Sequence, residues 1–201
     1  AGGMNIVRPS FIKKISELVN SYNSLLIADE VLTGFGRTGS LFAFQQANIQ
    51  PDLIALSKGL TSGFLPMGLT LAKEKIFQSF ISESPEKTFW HGHSFTANPL
   101  GCAAANASLD LLEKNPEKYL SFKDKHLSLI DKFKHVSFVK RIRICGTIVA
   151  FDIEMGTNSG YLNTIGKEIK RKAIEKGLFI RPLGNIIYLL PPLCITDKQL
   201  E

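Results

Sequence analysis

The chain has 201 residues, 44% of them hydrophobic and 21% charged, and carries a formal net charge of +6. That balance is ordinary for a folded globular chain and excludes an extended disordered segment, a collagen-like repeat and a charged low-complexity tail. No apolar run approaches the ~20 residues that a membrane-spanning helix needs, and no basic-then-apolar leader is visible, so a cytoplasmic protein without a membrane partner is expected.

The three cysteines, Cys102, Cys145 and Cys194, are scattered and odd in number, which suits free thiols in a reducing compartment. The densest basic stretch, Lys132 to Arg143, is interleaved with Phe133, Val136, Phe138 and Ile142. A solvated face over a buried one accounts for this pattern, and no nucleic-acid partner is expected.

Along the chain, Phe11, Ile12, Ile15, Leu18 and Val19 recur with the period of an amphipathic helix over Phe11 to Tyr22. Leu25 to Ala28 is a short continuous apolar run ending in Asp29-Glu30; Leu53 to Leu56 is a second, ending in Ser57-Lys58-Gly59; Met67 to Ala72 is a third, before a helix-like Lys73 to Ile81. Such runs predict strands buried on both faces of a mostly parallel sheet, an α/β arrangement in which ligands gather beyond the strands' carboxyl ends.

A polar loop, Ser82 to Thr96, leads to Asn98-Pro99, which predicts a helix start with Asn98 as N-cap and Pro99 in the first turn. The alanine-rich helix that follows, Leu100 to Glu113, is broken by Asn115-Pro116. Beyond it the pattern predicts a helix (Glu117 to Phe133), two strands (Val136 to Ile144, Thr147 to Ile153), a helix (Tyr161 to Lys176), a hairpin around Leu183-Gly184-Asn185 and a capping box at Thr196 to Gln199. This reads as residues 1–115 of a larger domain followed by a smaller α+β domain over 116–201.

Gly34-Phe35-Gly36-Arg37-Thr38-Gly39 matches G-x-G-x-x-G, but Asp29 to Thr33 separate it from the strand and two carboxylates at the strand end would repel a pyrophosphate. A structural turn is expected. Lys58 reads either as a solvated strand-end lysine or as an amine that condenses with a cofactor aldehyde, which needs partial desolvation and a carboxylate beside the ring nitrogen. Asp29, at the end of an earlier strand, can supply that carboxylate if the two strands are neighbours.

His91-Gly92-His93 lacks a third ligand in metal-binding spacing and reads as a pocket-lining loop, with no metal expected. Ser94 and Thr96 precede a helix start, where hydroxyls and N–H groups suit a phosphate as well as an ordinary cap. Arg181, between Ile180 and Pro182 at the end of an expected apolar strand, is a carboxylate clamp or a surface ion pair.

The ordered run from Leu26 through Asp29-Glu30-Val31 to Gly39, followed by Pro51-Asp52, Ser57-Lys58-Gly59-Leu60, His91 to Leu100 and Ile180 to Tyr188, resembles the class-III pyridoxal-phosphate aminotransferases, in particular their biotin-pathway branch. The resemblance covers essentially the whole chain. It implies a fold-type-I transferase with pyridoxal 5'-phosphate as cofactor. Lys58 would hold the cofactor and shuttle a proton, Asp29 would pair with the ring nitrogen, and Val31 would pack on the ring face. His93 and Ser94 would reach the phosphate from the neighbouring subunit of a homodimer. Gly92, Arg181 and Tyr188 would face substrate, with Arg181 on its carboxylate.

The implied reaction moves an amino group from S-adenosylmethionine to 8-amino-7-oxononanoate. Another ω-amino or amino-acid aminotransferase of the family, or a non-catalytic remnant, is the alternative. Family members are about twice as long, and their first half supplies a glycine/serine phosphate loop and ring-stacking aromatics, so the chain is expected to be a fragment that is not a competent transaminase alone.

Overall fold

A computed structural model describes residues 2–154 and 163–200. The chain divides into two compact units: one contains Arg8–Phe35 and Ser40–Pro116, and the other gathers the stretch up to Val7, the segment Gly36–Gly39 and the stretch from Glu117.

In the first unit the apolar runs form a three-stranded sheet. Ile27–Asp29 (β1) pairs in parallel with Leu53–Leu56 (β2), and Asp29 lies opposite Ala55. The third strand, Leu69–Ala72 (β3), pairs antiparallel with β2, Leu56 opposite Leu69. Of the mostly parallel sheet expected, the β1–β2 ladder is parallel and the β2–β3 ladder antiparallel. After β2 the chain turns through a 3-10 turn at Lys58–Thr61 and has no helix to carry it back to the sheet's other end, so β3 returns antiparallel.

Pro9–Ser21 (α1) starts on Pro9, whose missing N–H costs nothing in a first turn, and packs beside the 3-10 turn Ala43–Ala47. The helix-like stretch after β3 shortens to Glu74–Gln78 (α2). Pro99–Lys114 (α3) begins as its sequence predicts, with the Asn98 side chain accepting from the Gly101 N–H at 2.7 Å. Its Ala105, Ser108 and Leu112 are buried at helical spacing, and the helix packs on the Lys58–Thr61 turn.

One carboxylate ties the start of this sheet together. Asp52 accepts from the Leu26 N–H at 2.9 Å and from Lys73 Nζ at 2.9 Å, with Lys75 Nζ at 3.5 Å. The backbone bond and the two ammonium groups hold its pKa down at about 2.

The second unit opens with two short helices, Glu117–Leu120 (α4) and Phe122–Asp131 (α5), where a single helix is expected; the break falls at Ser121. Val139–Cys145 (β4), Ile148–Ile153 (β5) and Ile186–Leu189 (β6) make an antiparallel sheet with β5 central. Ile165–Glu175 (α6) begins after Thr164, later than the helix predicted from Tyr161, which itself lies outside the described residues. The expected hairpin at Leu183-Gly184-Asn185 reduces to a single bridge, Leu183 to Ile186, leading into β6. Thr196 and Gln199 exchange the reciprocal bonds of a capping box at Asp197–Leu200 (α7). Among the described residues no helix is long and apolar enough to cross a membrane.

Both faces of this sheet carry packed apolar side chains. Met4, Ile148, Ala150 and Ile186 cluster on one side; Ile153, Ile180 and Ile187 cluster on the other, covered by Ile165 and Ile169 of α6. Buried polar groups accompany them, Asp152 and His126 among them. Asp152 receives Arg143 at 2.8 Å and Arg141 at 3.2 Å, and Arg143 also donates to the Met4 carbonyl at 3.0 Å. His126, 0% exposed, is 3.0 Å from the Thr147 carbonyl through Nε2. A carbonyl can only accept, so Nε2 carries a hydrogen; burial pushes the ring's pKa down against the opposing effect of that bond.

The glycine-rich segment serves this unit structurally. The Arg37 guanidinium donates to Thr147 Oγ1 at 3.1 Å and the Pro191 carbonyl at 2.7 Å, while Thr147 returns a bond to the Arg37 carbonyl. Gly146 has φ +56°, and a Cβ there would lie 2.1 Å from the Gly39 nitrogen.

Gly146→Ala is therefore expected to destabilise the second unit by at least about 3 kcal/mol, measured as the shift in urea midpoint, because the clash is with backbone that cannot rotate away. Acid should act in two stages. His126 has a lowered folded pKa, so its unit loses stability as pH falls below the unfolded value of about 6.5, where only the unfolded chain takes the proton. Asp52 is also depressed, so the first unit keeps its contribution above about pH 4 and loses it as pH falls toward 2. Unfolding curves between pH 8 and 2 check both, and His126→Leu should abolish the upper stage alone.

Candidate functional site

Asp29 and the Lys58 turn come together through strand pairing. Asp29 closes β1 opposite Ala55, and Lys58 follows the end of β2 by two residues, so both leave the same end of a parallel ladder. Both side chains are exposed, and neither forms an ion pair among the described residues.

Lys58 has a left-handed backbone, φ +41°, a conformation that costs an L-residue about 1–3 kcal/mol and persists only where its surroundings enforce it. The surroundings here are specific. The Leu60 N–H bonds the Ser57 carbonyl at 2.9 Å, Ser57 Oγ donates to the Met67 carbonyl at 2.7 Å, and Ser108 of α3 donates to the Gly59 carbonyl at 3.2 Å and meets Ser62 Oγ at 2.8 Å. Against Gly59 lies the buried ring of Phe35: a Cβ on residue 59 would be 2.9 Å from Phe35 Cβ and Cδ2. Phe35 in turn meets Phe42 edge-on, with ring centroids 5.6 Å apart. The turn after β1 thus packs directly on the turn that carries Lys58.

At the end of β1 the Val31 N–H donates to Asp29 Oδ1 at 3.0 Å. Val31 itself is half-buried in the turn that leads to Phe35.

A cavity of about 470 Å³ opens beside this turn in the same unit, lined by Ser57, Met67, His91, His93, Thr96 and Asn98 among others. His93 Nδ1 accepts from the Phe95 N–H at 3.2 Å, which leaves Nε2 for another partner. Gly92 and Ser94 are exposed on the same loop but outside the lining, and around Gly92 a Cβ would meet nothing within 4 Å.

The remaining candidates belong to the other unit. Arg181 is exposed and unpaired among the described residues; the stretch around it forms no strand, although the preceding Ile180 is buried in the core. Tyr188 sits on β6 opposite Ala150 and packs half-buried against the Met4–Ile148–Ile186 cluster.

The donor set fits a pyridoxal cofactor: a lysine amine and an exposed carboxylate at the exits of adjacent parallel strands, beside a cavity with imidazole and hydroxyl donors. Two contributors escape a reading of the sequence, the Phe35–Gly59 contact and the buried carboxylate of Glu30. Glu30 stands next to Asp29 where an apolar run stops, and nothing local tells that its side chain turns inward.

Comparison with known proteins agrees. A relative from Synechococcus elongatus named adenosylmethionine-8-amino-7-oxononanoate aminotransferase is 51% identical over the whole chain, which covers 47% of that protein. The protein of the same name from Geobacter sulfurreducens is 42% identical, again over the whole chain and 46% of its own length. The solved structure of the Methanocaldococcus jannaschii protein of that name superposes with a TM-score of 0.86 at 34% identity, over 94% of this chain and 46% of that one. A transaminase from a marine Virgibacillus matches with the same TM-score at 28% identity, over 97% of this chain and 46% of that one.

The chain therefore spans about half the length of the relatives it matches. Over that half the pattern of the family described as aminotransferase class-III is matched from residue 1 to residue 201, and the chain belongs to the class-III aminotransferases, pyridoxal-phosphate enzymes of fold type I.

Proposed function

We propose that this chain is the lysine-bearing half of an aminotransferase that moves an amino group from S-adenosylmethionine to 8-amino-7-oxononanoate, giving 7,8-diaminononanoate. The observation that carries the reading is Lys58 and Asp29 at the exits of two adjacent parallel strands. The substrates are supported by relatives that bear the corresponding name at 51% and 42% identity. Residues 1–115 would form part of the cofactor-binding domain and 116–201 the small domain.

Bound pyridoxal phosphate supplies an electron sink that makes a substrate C–H acidic. Lys58 would hold it through Nζ and, once released, carry the proton between carbon atoms as general base and acid. The exposure of Lys58 and the rigidity of its turn suit both tasks, since the amine must swing while its Cα stays fixed. Asp29 would keep the proton on the ring nitrogen by an ionic hydrogen bond, and Val31, half-buried beside it, would press on the ring face. His93 and Ser94 would reach the phosphate, in the family manner, of the neighbouring subunit of a homodimer. Gly92 would leave room for substrate, Arg181 would grip its carboxylate and Tyr188 would lie near the amino donor.

The rest of a class-III enzyme, about as long again, would complete the phosphate cradle and the ring-stacking wall. Turnover thus belongs to the assembled enzyme, in the cytoplasm.

Incubating the 201-residue chain with pyridoxal phosphate, trapping with borohydride and mapping peptides by mass should find the cofactor on Lys58 in preference to other lysines. Lys58→Ala should remove that selective labelling at least tenfold, and labelling spread evenly over surface lysines overturns the reading. Amino transfer from S-adenosylmethionine should require the remaining half added in trans; transfer from other amines but not from S-adenosylmethionine would favour an ω-amino enzyme. Gly59→Ala should lower Lys58 labelling at least threefold by displacing Phe35, with the unfolding midpoint of the second unit unchanged.

A further inference from the structure

Glu30 is 2% exposed and forms no ion pair among the described residues. An ionised carboxylate in that setting persists only where hydrogen bonds replace its hydration, and both oxygens are bound. Oε1 accepts from the Phe44 N–H at 2.9 Å, and Oε2 accepts a short bond from Thr33 Oγ1. The backbone of the same residue is held as well: its N–H donates to the Ala55 carbonyl at 2.9 Å, extending the β1–β2 ladder by one bond, and its carbonyl accepts from the Gly34 N–H at 2.9 Å. A Cβ on residue 34 would lie 2.9 Å from that carbonyl, so the turn is closed tightly.

The preceding residue has the opposite character. Asp29 is exposed, and its carboxylate is steered by the N–H of Val31 alone among the described residues, at 3.0 Å. Where that N–H points depends on the turn that Glu30 opens and closes. The structure assigns to Glu30 the role of positioning residue for Asp29: its buried carboxylate clamps the Glu30–Gly34 turn to Thr33 and to Phe44, and so fixes the Val31 amide that orients Asp29 toward the cofactor ring. This rests on the aminotransferase reading for what Asp29 does, but the clamp itself stands on the chain's own geometry. Glutamine has the same shape and can accept from Phe44 while donating to Thr33, so the clamp needs hydrogen bonds rather than charge.

Two readouts test it on the full 201-residue chain. Without cofactor, amide hydrogen exchange at Val31 should quicken at least tenfold in Glu30→Leu and stay within twofold of the unaltered chain in Glu30→Gln, with β4–β5 amides unchanged in both. With pyridoxal phosphate held on Lys58, the visible absorption band of Glu30→Leu should move in the direction that Asp29→Asn moves it, and Glu30→Gln should restore it; a role confined to stability would not move the band. Unchanged Val31 exchange in Glu30→Leu, or Glu30→Gln behaving like Glu30→Leu, overturns the assignment. If Glu30→Leu does not fold, Thr33→Val, which removes one of the two side-chain bonds, must by itself quicken Val31 exchange severalfold, and no change overturns the proposal. Failure of the unaltered chain to take the cofactor on Lys58 would refute the functional reading and leave the exchange measurements to decide the clamp.

Discussion

The ring of Phe35 occupies the space where any side chain on residue 59 would have to go, and the site is organised around that contact. The glycine lets an aromatic ring lie flush against the backbone beside Lys58, so the turn leaving β1 and the turn leaving β2 become one packed body. Neither turn is relaxed by itself: Phe35 and Lys58 both have positive φ, +59° and +41°. Each such residue costs of the order of 1–3 kcal/mol, offset here by the burial of Phe35 between Gly59 and Phe42 and by the hydrogen bonds of the Lys58 turn. A lysine on a relaxed helix or an open loop would have the same amine without a fixed Cα.

The two units solve the problem of buried charge differently. In the first, Asp52 and Glu30 each take one bond from a backbone N–H, of Leu26 and of Phe44, beside side-chain partners (Lys73 and Lys75 for Asp52, Thr33 for Glu30), so each carboxylate fixes the path of the chain as well as its own position. In the second, Asp152 is satisfied by arginines on a neighbouring strand, while the buried His126 bonds one carbonyl through Nε2 and has no partner on Nδ1 among the described residues. Side-chain pairs of that kind hold elements together but say little about the path of a turn. At the strand exits, by contrast, the buried carboxylate of Glu30 acts on backbone.

What the sequence reveals is local. Apolar runs ending abruptly in Asp29 and in Lys58 mark strand ends, Asn98-Pro99 marks a helix start, and Thr196 to Gln199 marks a capping box; each depends on residues within one turn of one another. What it hides is set by distant partners. The direction of β3 depends on the route taken through Ser57 to Gly68, and the break at Ser121 has no strong breaker behind it. The G-x-G-x-x-G segment owes its glycines partly to Gly146, far along the chain, so its resemblance to a nucleotide loop is a coincidence of spacing. Tyr188 reads as a site aromatic, yet its strand register turns it onto a core cluster, and Arg181 follows a buried isoleucine without a strand around it. Glu30 is hidden for a further reason: an acidic residue after a strand is normally solvated, and one of the two donors that make its burial tolerable comes from the returning segment at Phe44, the other from Thr33.

The unit that carries Lys58 and Asp29 is also the more thinly covered. Its strands leave Ile27 64%, Leu71 44% and Leu69 39% exposed, whereas β5 of the other unit holds Val149 and Ala150 at 0%. A sheet with a parallel ladder normally has both faces packed. The rigidity around Lys58 therefore comes from local contacts (Phe35 on Gly59, Ser108 on the turn, Glu30 on backbone) rather than from a thick core. Anything that binds these faces or the strand exits of the folded unit adds its binding free energy to the unit's stability, so occupation and ordering are thermodynamically linked. A pair of strand-exit side chains built this way, Asp29 and Lys58, is held in place by contacts within one turn of each.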